Sequence, residues 1–217
     1  MEVKLLHHSP ISVVIAAIRK CYASEGLSDS RVVGGEFILG IRDKELVRRI
    51  VSAGHGSVTE MAVYTFDIDG ISRGCLQELA RHRLASLAVR SSRYTLTKML
   101  KDVDSFYYSD GEINLEVVDN YLVLSGDTYV DAASVMALDY VRVGTNLGIA
   151  NDILKYCLPE SLKTSLIWTI NARSLRNFLE LRLDKRAHWE IQALANQILT
   201  LIPKDHKILF EGINYLP

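Results

Sequence analysis

Residues 61–69 set Ala62, Tyr64, Phe66 and Ile68 against Val63, Thr65, Asp67 and Asp69. A period of two is that of a strand with one face buried and one face wet, so the rest of the chain has to supply a cover for that apolar face. Residues 163–170 have strand composition as well, with Leu166, Ile167, Trp168, Thr169 and Ile170, and residues 1–6 alternate enough for a short strand. Between them lie stretches of helical period. Ser9 and Pro10 read as N-cap and first helical position, because proline costs nothing where the N–H has no partner; Val13, Val14, Ala17, Ile18 and Cys21 follow at helical spacing. Residues 26–40 are loop-like, with a turn at Gly34 and Gly35. Asp43 is expected to cap a helix over 44–52 that ends near Gly54. Gly70 is expected to break the strand, and Ser72 to cap a helix over 73–84. Two helices are expected over 121–140 and 141–157, ending at Leu158 and Pro159. Asn171 then caps a helix over 172–183, and another runs over 187–201 to Pro203. The expected class is α+β, a small twisted, mainly antiparallel sheet with packed helices, in one domain over residues 1–217.

Charge is distributed unevenly along this framework. The net charge is −1, which argues against binding nucleic acid by bulk electrostatics. Yet residues 73–101 hold seven Lys or Arg against one acid, Glu78, and residues 102–140 hold nine acids and no Lys or Arg. A small anionic ligand fits the basic segment better than a long polyanion, which the acidic segment would repel. A charge match within the chain or between subunits is compatible with the same pattern. The three cysteines, Cys21, Cys75 and Cys157, are odd in number and lack metal-ligand spacing. Together with an N-terminus without a signal-peptide pattern, they point to reduced thiols in a cytoplasmic protein without a metal site. The longest apolar run, residues 11–18, is too short to cross a membrane.

The basic segment contains its own focus. Residues 81–94 pack four arginines, one histidine and three serines into fourteen positions. Guanidinium forks grip phosphates and carboxylates at two points, and hydroxyls with backbone N–H groups complete an anion cradle. The expected helix over 73–84 places Arg73, Gln77 and Arg81 on one polar face ahead of this cradle. For Arg73 a solvated face is an equal reading. The polar turn at residues 54–60, with His55 and Ser57, can hold a cofactor or simply reverse the chain. Arg182 and Lys185, near the end of a helix, are explained equally well by its dipole.

Two blocks taken together are specific. Arg81-His82-Arg83, seven residues and then Ser91 form an RHR-x7-S signature, followed by Ser92-Arg93-Tyr94. The second block runs from Asn171-Ala172-Arg173 through Asn177 and Arg182 to Ala187-His188-Trp189-Glu190. In order and spacing the chain resembles the flavin-dependent thymidylate synthases from the His55 turn to about Leu194.

The resemblance implies reductive methylation of dUMP to dTMP, with methylenetetrahydrofolate as carbon donor, NADPH as reductant of a bound FAD, and no cysteine nucleophile. It implies a homotetramer whose active sites draw residues from several subunits, with the helices of residues 121–157 as the expected contact surface. Carried over by position, His55, Ser57, Arg81, His82, Arg83, Val89, Asn171, Ala172, Arg173 and Asn177 are expected at FAD. Gln77, Glu78, Leu79, Ala80, Arg81, Val89, Arg90, Ser91, Ser92, Arg93 and Lys155 are expected at dUMP. Arg182 is expected beside the uracil, where its fixed charge would stabilise negative charge developing on the ring. Arg81 to Arg83 would then lie where flavin and nucleotide meet, and Ser91 to Arg93 at the phosphate.

Some positions depart from the commoner family pattern. Val89 stands where many members have Glu, and Ala88 where many have a polar residue. Gln77 and Glu78 exchange the place usual for Gln, Lys155 replaces a common Arg, and Arg186 a frequent His. A monomeric binding module, a single-strand nucleic-acid binder and a nucleotide phosphohydrolase are the rival readings. The last would want metal-binding carboxylates beside the phosphate, and the basic segment offers only Glu78.

Overall fold

The structure is a computed structural model that describes residues 1–213; residues 214–217 of the expected single domain lie outside the described residues. The chain begins with β1 (Glu2–His8) and α1 (Ser12–Cys21), then a hairpin of β2 (Arg31–Val33) and β3 (Glu36–Ile38), and α2 (Ile41–Ser52). A 3-10 turn (Gly56–Met61) leads into β4 (Val63–Ser72), α3 (Arg73–Ala80), β5 (Ala85–Val89) and α4 (Ser92–Leu100). Then come α5 (Leu115–Val118), α6 (Thr128–Asn146), α7 (Asn151–Leu154), β6 (Lys163–Asn171), α8 (Ala172–Arg182), α9 (Trp189–Leu201) and a 3-10 segment (Lys204–Phe210).

The four-stranded sheet has the order β1-β4-β6-β5. Thr65 meets Thr169 through their hydroxyls and Phe66 lies against Trp168, so the paired numbers run in opposite directions and β4 and β6 are antiparallel. The alternation over residues 61–69 follows from this pairing: Tyr64, Phe66 and Ile68 are fully buried, while Thr65 and Asp67 lie on the other face.

Chain contacts divide the molecule into two compact units, and the long strands contribute residues to both. Unit 1 comprises Met1–Glu2, Ile68–Arg81 and Ala88–Leu166. Its core gathers Leu96, Leu100, Phe106, Val118, Leu122, Leu138 and Val141 from α4, α5, α6 and their loops. Unit 2 comprises Val3–Asp67, His82–Leu87 and Ile167–Pro217. A chain of aromatic contacts links Phe210, Tyr64, Phe66, Trp168 and Phe178 at centroid separations of 5.1–6.3 Å. Full burial of each such ring contributes about 1.5–3 kcal/mol.

Several local expectations are corrected. Ser9 does not cap α1, whose N-cap is Ile11; its hydroxyl accepts the Val63 N–H at 3.1 Å and anchors the start of β4. Asp43 lies inside the first turn of α2, fully buried, accepting from Arg19, Ser28 and Ser30, while the Asp29 carboxylate receives the N–H groups of Arg42 and Asp43. The Arg19, Ser28 and Ser30 donors hold the Asp43 carboxyl below its usual range, against the opposing effect of burial. The stretch 26–40 is a loop with two short strands, paired Arg31 to Ile38 and Val33 to Glu36 around Gly34 and Gly35. Those glycines have φ of 60° and 87°, the left-handed values that a tight hairpin demands. Gly70 does not end its strand; it takes φ 78° within β4, close to the Met1 backbone. The helix after Ser72 stops at Ala80, short of the expected 84, and residues 85–89 of the expected anion cradle form β5. Residues 121–157 hold α6 and the short α7, not two adjoining long helices.

Candidate functional site

In unit 1, β5 delivers the chain to Ser91, the N-cap of α4. The Ser91 carbonyl accepts from Tyr94 N and Thr95 N at 3.2 and 3.1 Å, but its hydroxyl makes no capping bond. The first N–H groups of a helix have no partner inside it and carry the positive end of its dipole. No acid stands in the first turn of α4, and Arg93 does. A cation at that end is unfavourable unless an anion meets it, and Asp152 of α7 does so. Arg93 Nε donates to Asp152 Oδ1 at 2.6 Å and Nη2 to Oδ2 at 3.2 Å. This hydrogen-bonded pairing lowers the Asp152 pKa and raises that of Arg93.

The neighbouring expected dUMP residues have partners of the same kind. Arg90 donates through Nη2 to Asp69 at 3.4 Å, and its main-chain N–H to Ser165 O at 2.9 Å. The Gln77 amide donates to both oxygens of Glu160 at 2.8 and 2.9 Å. Arg81 closes α3 with Nη1 at 3.8 Å from Glu78. Ser92, Val89 and Ala80 retain exposed surface, and Lys155 has its ammonium 5.9 Å from the Tyr156 ring centroid. The Leu79 side chain is fully buried, which leaves its main chain to meet a ligand.

Unit 2 holds a second group. Asn171 caps α8, its side-chain oxygen accepting from Ser174 N at 2.9 Å, and Ala172 N donates to Ala62 O at 2.8 Å. Ala172 is likewise a core side chain, 2% exposed. The cap directs Arg173 and, one turn on, Asn177 outward, both exposed. Arg173 donates to Glu60 Oε1 at 2.7 Å, and a Cβ added at Gly56 would lie 3.3 Å from Arg173 Cδ and Nε. The turn of His55, Gly56 and Ser57 therefore lies against that arginine, and a side chain at 56 would displace it.

The two sequence blocks meet within this unit. Arg182 Nε donates to His82 Nε2 at 3.0 Å across a hundred residues of sequence. Accepting at Nε2 places the imidazole proton on Nδ1. His82 is 8% exposed and stands edge-on to Phe178 at 5.0 Å, which fixes the ring plane. Arg83 is exposed. Arg186 bonds Asp184 through Nε and Nη2 at 3.0 and 2.9 Å and holds that carboxyl far below the usual range.

A family model described as "Thymidylate synthase complementing protein" matches residues 4–206. The flavin-dependent thymidylate synthase of Wolinella succinogenes is 49% identical over 211 residues, covering 97% of each chain. That of Helicobacter pylori is 45% identical over 213 residues, covering 97% of this chain and 98% of the relative. Among solved structures, thymidylate synthase X from Helicobacter pylori, crystallised with FAD and dUMP, superposes with a TM-score of 0.87. It is 45% identical, and the match covers 98% of this chain and 99% of that one.

Proposed function

The chain belongs to the flavin-dependent thymidylate synthases, and from that premise we propose that it converts dUMP to dTMP. The one-carbon unit comes from methylenetetrahydrofolate at the oxidation level of formaldehyde, and two electrons and a proton complete the methyl group. NADPH is the source of the electrons, and tetrahydrofolate and NADP⁺ leave. The observation that carries this reading is the His82–Arg182 hydrogen bond, which joins the RHR signature to the second arginine block.

The residues of unit 2 fit an FAD site by their donor set. Arg173 and Asn177 stand exposed on successive turns of α8, Ser57 lies in the turn against Arg173, and the bare Cα of Gly56 lets that arginine pack close to the turn. Arg173 would hold the pyrophosphate as a guanidinium fork. Bound FAD supplies hydride chemistry, so the pyrimidine need not be attacked by a thiol. Arg81, Arg83 and the amide nitrogen of Asn171 complete the expected contacts; the Asn171 oxygen serves its helix.

For dUMP, the open first turn of α4 with Ser91, Ser92 and Arg93 takes the phosphate, through backbone N–H groups, hydroxyls and a guanidinium. Arg90 and Lys155 add charge. Arg182, oriented through Nε by a buried imidazole, holds a fixed positive charge for the uracil. Residues 1–217 act as one functional domain, and the family match through both units supports this.

We read the assembly as a homotetramer. Tyr129, Met136, Tyr140, Val143 and the C-cap Leu147 recur at helical spacing along α6 and its end and remain 40–85% exposed, an apolar stripe that a second subunit would cover. Among the described residues no helix is long and apolar enough to cross a membrane, and the cytoplasm is the proposed compartment. Incubation with dUMP, methylenetetrahydrofolate and NADPH should yield dTMP, and leaving out any one should abolish it. dTMP formation without NADPH, or none with all three and FAD present, would refute the assignment.

A further inference from the structure

Asp152 and Asn151 were not singled out in the sequence, and both act on Arg93. Asp152 takes the Nε and Nη2 edge of the guanidinium. Asn151 donates from its side-chain amide to the main-chain carbonyl of Arg93 at 2.8 Å. Thr97, one turn after Arg93 on α4, donates to Asn151 Oδ1 at 2.7 Å and fixes that amide. Arg93 is thus held at backbone and side chain by two consecutive residues of α7, 58 and 59 positions away in sequence.

A guanidinium has five N–H donors. Asp152 uses two, on Nε and Nη2; the second Nη2 hydrogen and both on Nη1 form another edge with the same fork geometry. Arg93 and Asp152 both line a cleft of about 390 Å³ bounded by Tyr94, Thr97 and Thr145. The pair is half-exposed, 55% and 57% for the side chains, so as a stabilising ion pair it contributes little. Orientation is what it can provide: an arginine side chain loses rotamer freedom when it meets a ligand, and an arginine already held by one edge loses less.

We propose that Asp152, with Asn151 anchoring the backbone, is a positioning residue for the substrate phosphate, presetting Arg93 so that its Nη1 and Nη2 edge receives dUMP. This rests on the assignment of the phosphate to Arg93 made above. The competing physical effect is repulsion between the Asp152 carboxylate and the phosphate. If repulsion dominated, Asp152 would be a ligand-displaced latch and its removal would tighten dUMP. Solvent screening weakens that repulsion at an exposed site, whereas the fork contact is direct.

The test measures dUMP binding by calorimetry and steady-state kinetics on the FAD-loaded enzyme. Asp152→Ala should raise the dUMP Kd and KM by about two- to fivefold, the upper part of the span of an exposed ion pair. At saturating dUMP, kcat should stay within about twofold, with FAD content and Tm near wild type. Asn151→Ala should move dUMP in the same direction by less, and Asp152→Glu should recover part of the loss. In an Arg93→Ala background Asp152→Ala should change nothing further, which a general loosening of α7 would not produce. Unchanged or tighter dUMP binding in Asp152→Ala overturns the proposal, as does an equal effect with and without Arg93. Should Asp152→Ala not fold, Asp152→Asn, with its shape kept and one acceptor retained, carries the same test. Wild-type enzyme that binds FAD but no dUMP would instead overturn the functional reading itself.

Discussion

Replacing Arg182 with Ala removes a fixed positive charge and also the donor at 3.0 Å from His82 Nε2. The two losses act on different observables. Taking a donor from a buried acceptor costs about 1–3 kcal/mol, and His82, 8% exposed, can recruit some water, so the lower half of that range applies. For a chain of 217 residues, each kcal/mol lowers Tm by about 2–4 °C. In the role proposed for Arg182, the charge acts on the reaction. Removing one preorganised electrostatic contact to a developing anion costs about 100- to 1000-fold in kcat. Arg182→Ala should therefore lose turnover by about that factor while FAD binding stays within a few-fold and Tm falls by only a few degrees. Arg182→Lys keeps the charge but cannot reproduce the Nε bond and should fall between. The assay is the initial rate of dTMP formation at saturating dUMP, beside FAD content and a thermal melt. Turnover within about threefold of wild type in a folded, FAD-loaded Arg182→Ala enzyme would refute the electrostatic role and leave the bond with His82 as a structural contact.

Arg93→Ala should weaken dUMP by roughly tenfold or more, as expected for loss of a charge-assisted fork, and FAD hardly at all; equal titration shifts for both would mean the α4 turn is misassigned. Arg173→Ala should do the reverse, lowering FAD content of the purified protein while leaving the dUMP affinity of FAD-saturated enzyme near wild type. Stability should also fall in mild acid. Burial pushes His206 down to about 4, with His8 lowering it further and Asp205, 3.9 Å away, partly opposing. Its Nδ1 bonds the Tyr64 hydroxyl at 2.7 Å. Because the folded state favours the neutral ring, this stabilisation is complete above pH 6.5 and is lost as pH falls from 6.5 towards 4. The lowered carboxyls of Asp29, Asp43 and Asp152 act below that window. Urea unfolding across pH 4–6.5 should show the loss in wild type and a flatter profile in His206→Asn; parallel profiles would exclude His206 as the source.

What could be seen in the sequence was local and periodic. The alternation over 61–69 and the caps Ser72 and Asn171 reappear because strand period and N-cap chemistry are set by nearest neighbours: each cap accepts the N–H three residues on, Cys75 and Ser174. Ser9 was misread because its hydroxyl serves a partner 54 residues away. Residues 85–89 are small and half-exposed, and a tertiary edge made them a strand: Arg90 N, at its end, pairs with Ser165 O. In the acidic middle, the helix expected over 121–140 starts only at Thr128. The Asp131 carboxylate instead gathers Ser125 N and Gly126 N, and Asp127 caps α6 at Thr128. Ser125, Gly126 and Asp127 form the turn that separates residues 121–124 from α6. The resemblance singles out Arg93, Gln77 and Arg173; their acidic partners Asp152, Glu160 and Glu60 lie 59, 83 and 113 residues away in sequence. Nothing in a local pattern names such a partner, because only the fold brings the two together.

Flavin dependence is the claim on which the rest stands, and the visible spectrum of the purified protein tests it most directly. The purified protein should be yellow, its flavin band should bleach when NADPH is added without oxygen, and dTMP should appear once dUMP and methylenetetrahydrofolate follow. A protein that stays colourless after incubation with FAD, or whose bound flavin NADPH leaves oxidised, would contradict it.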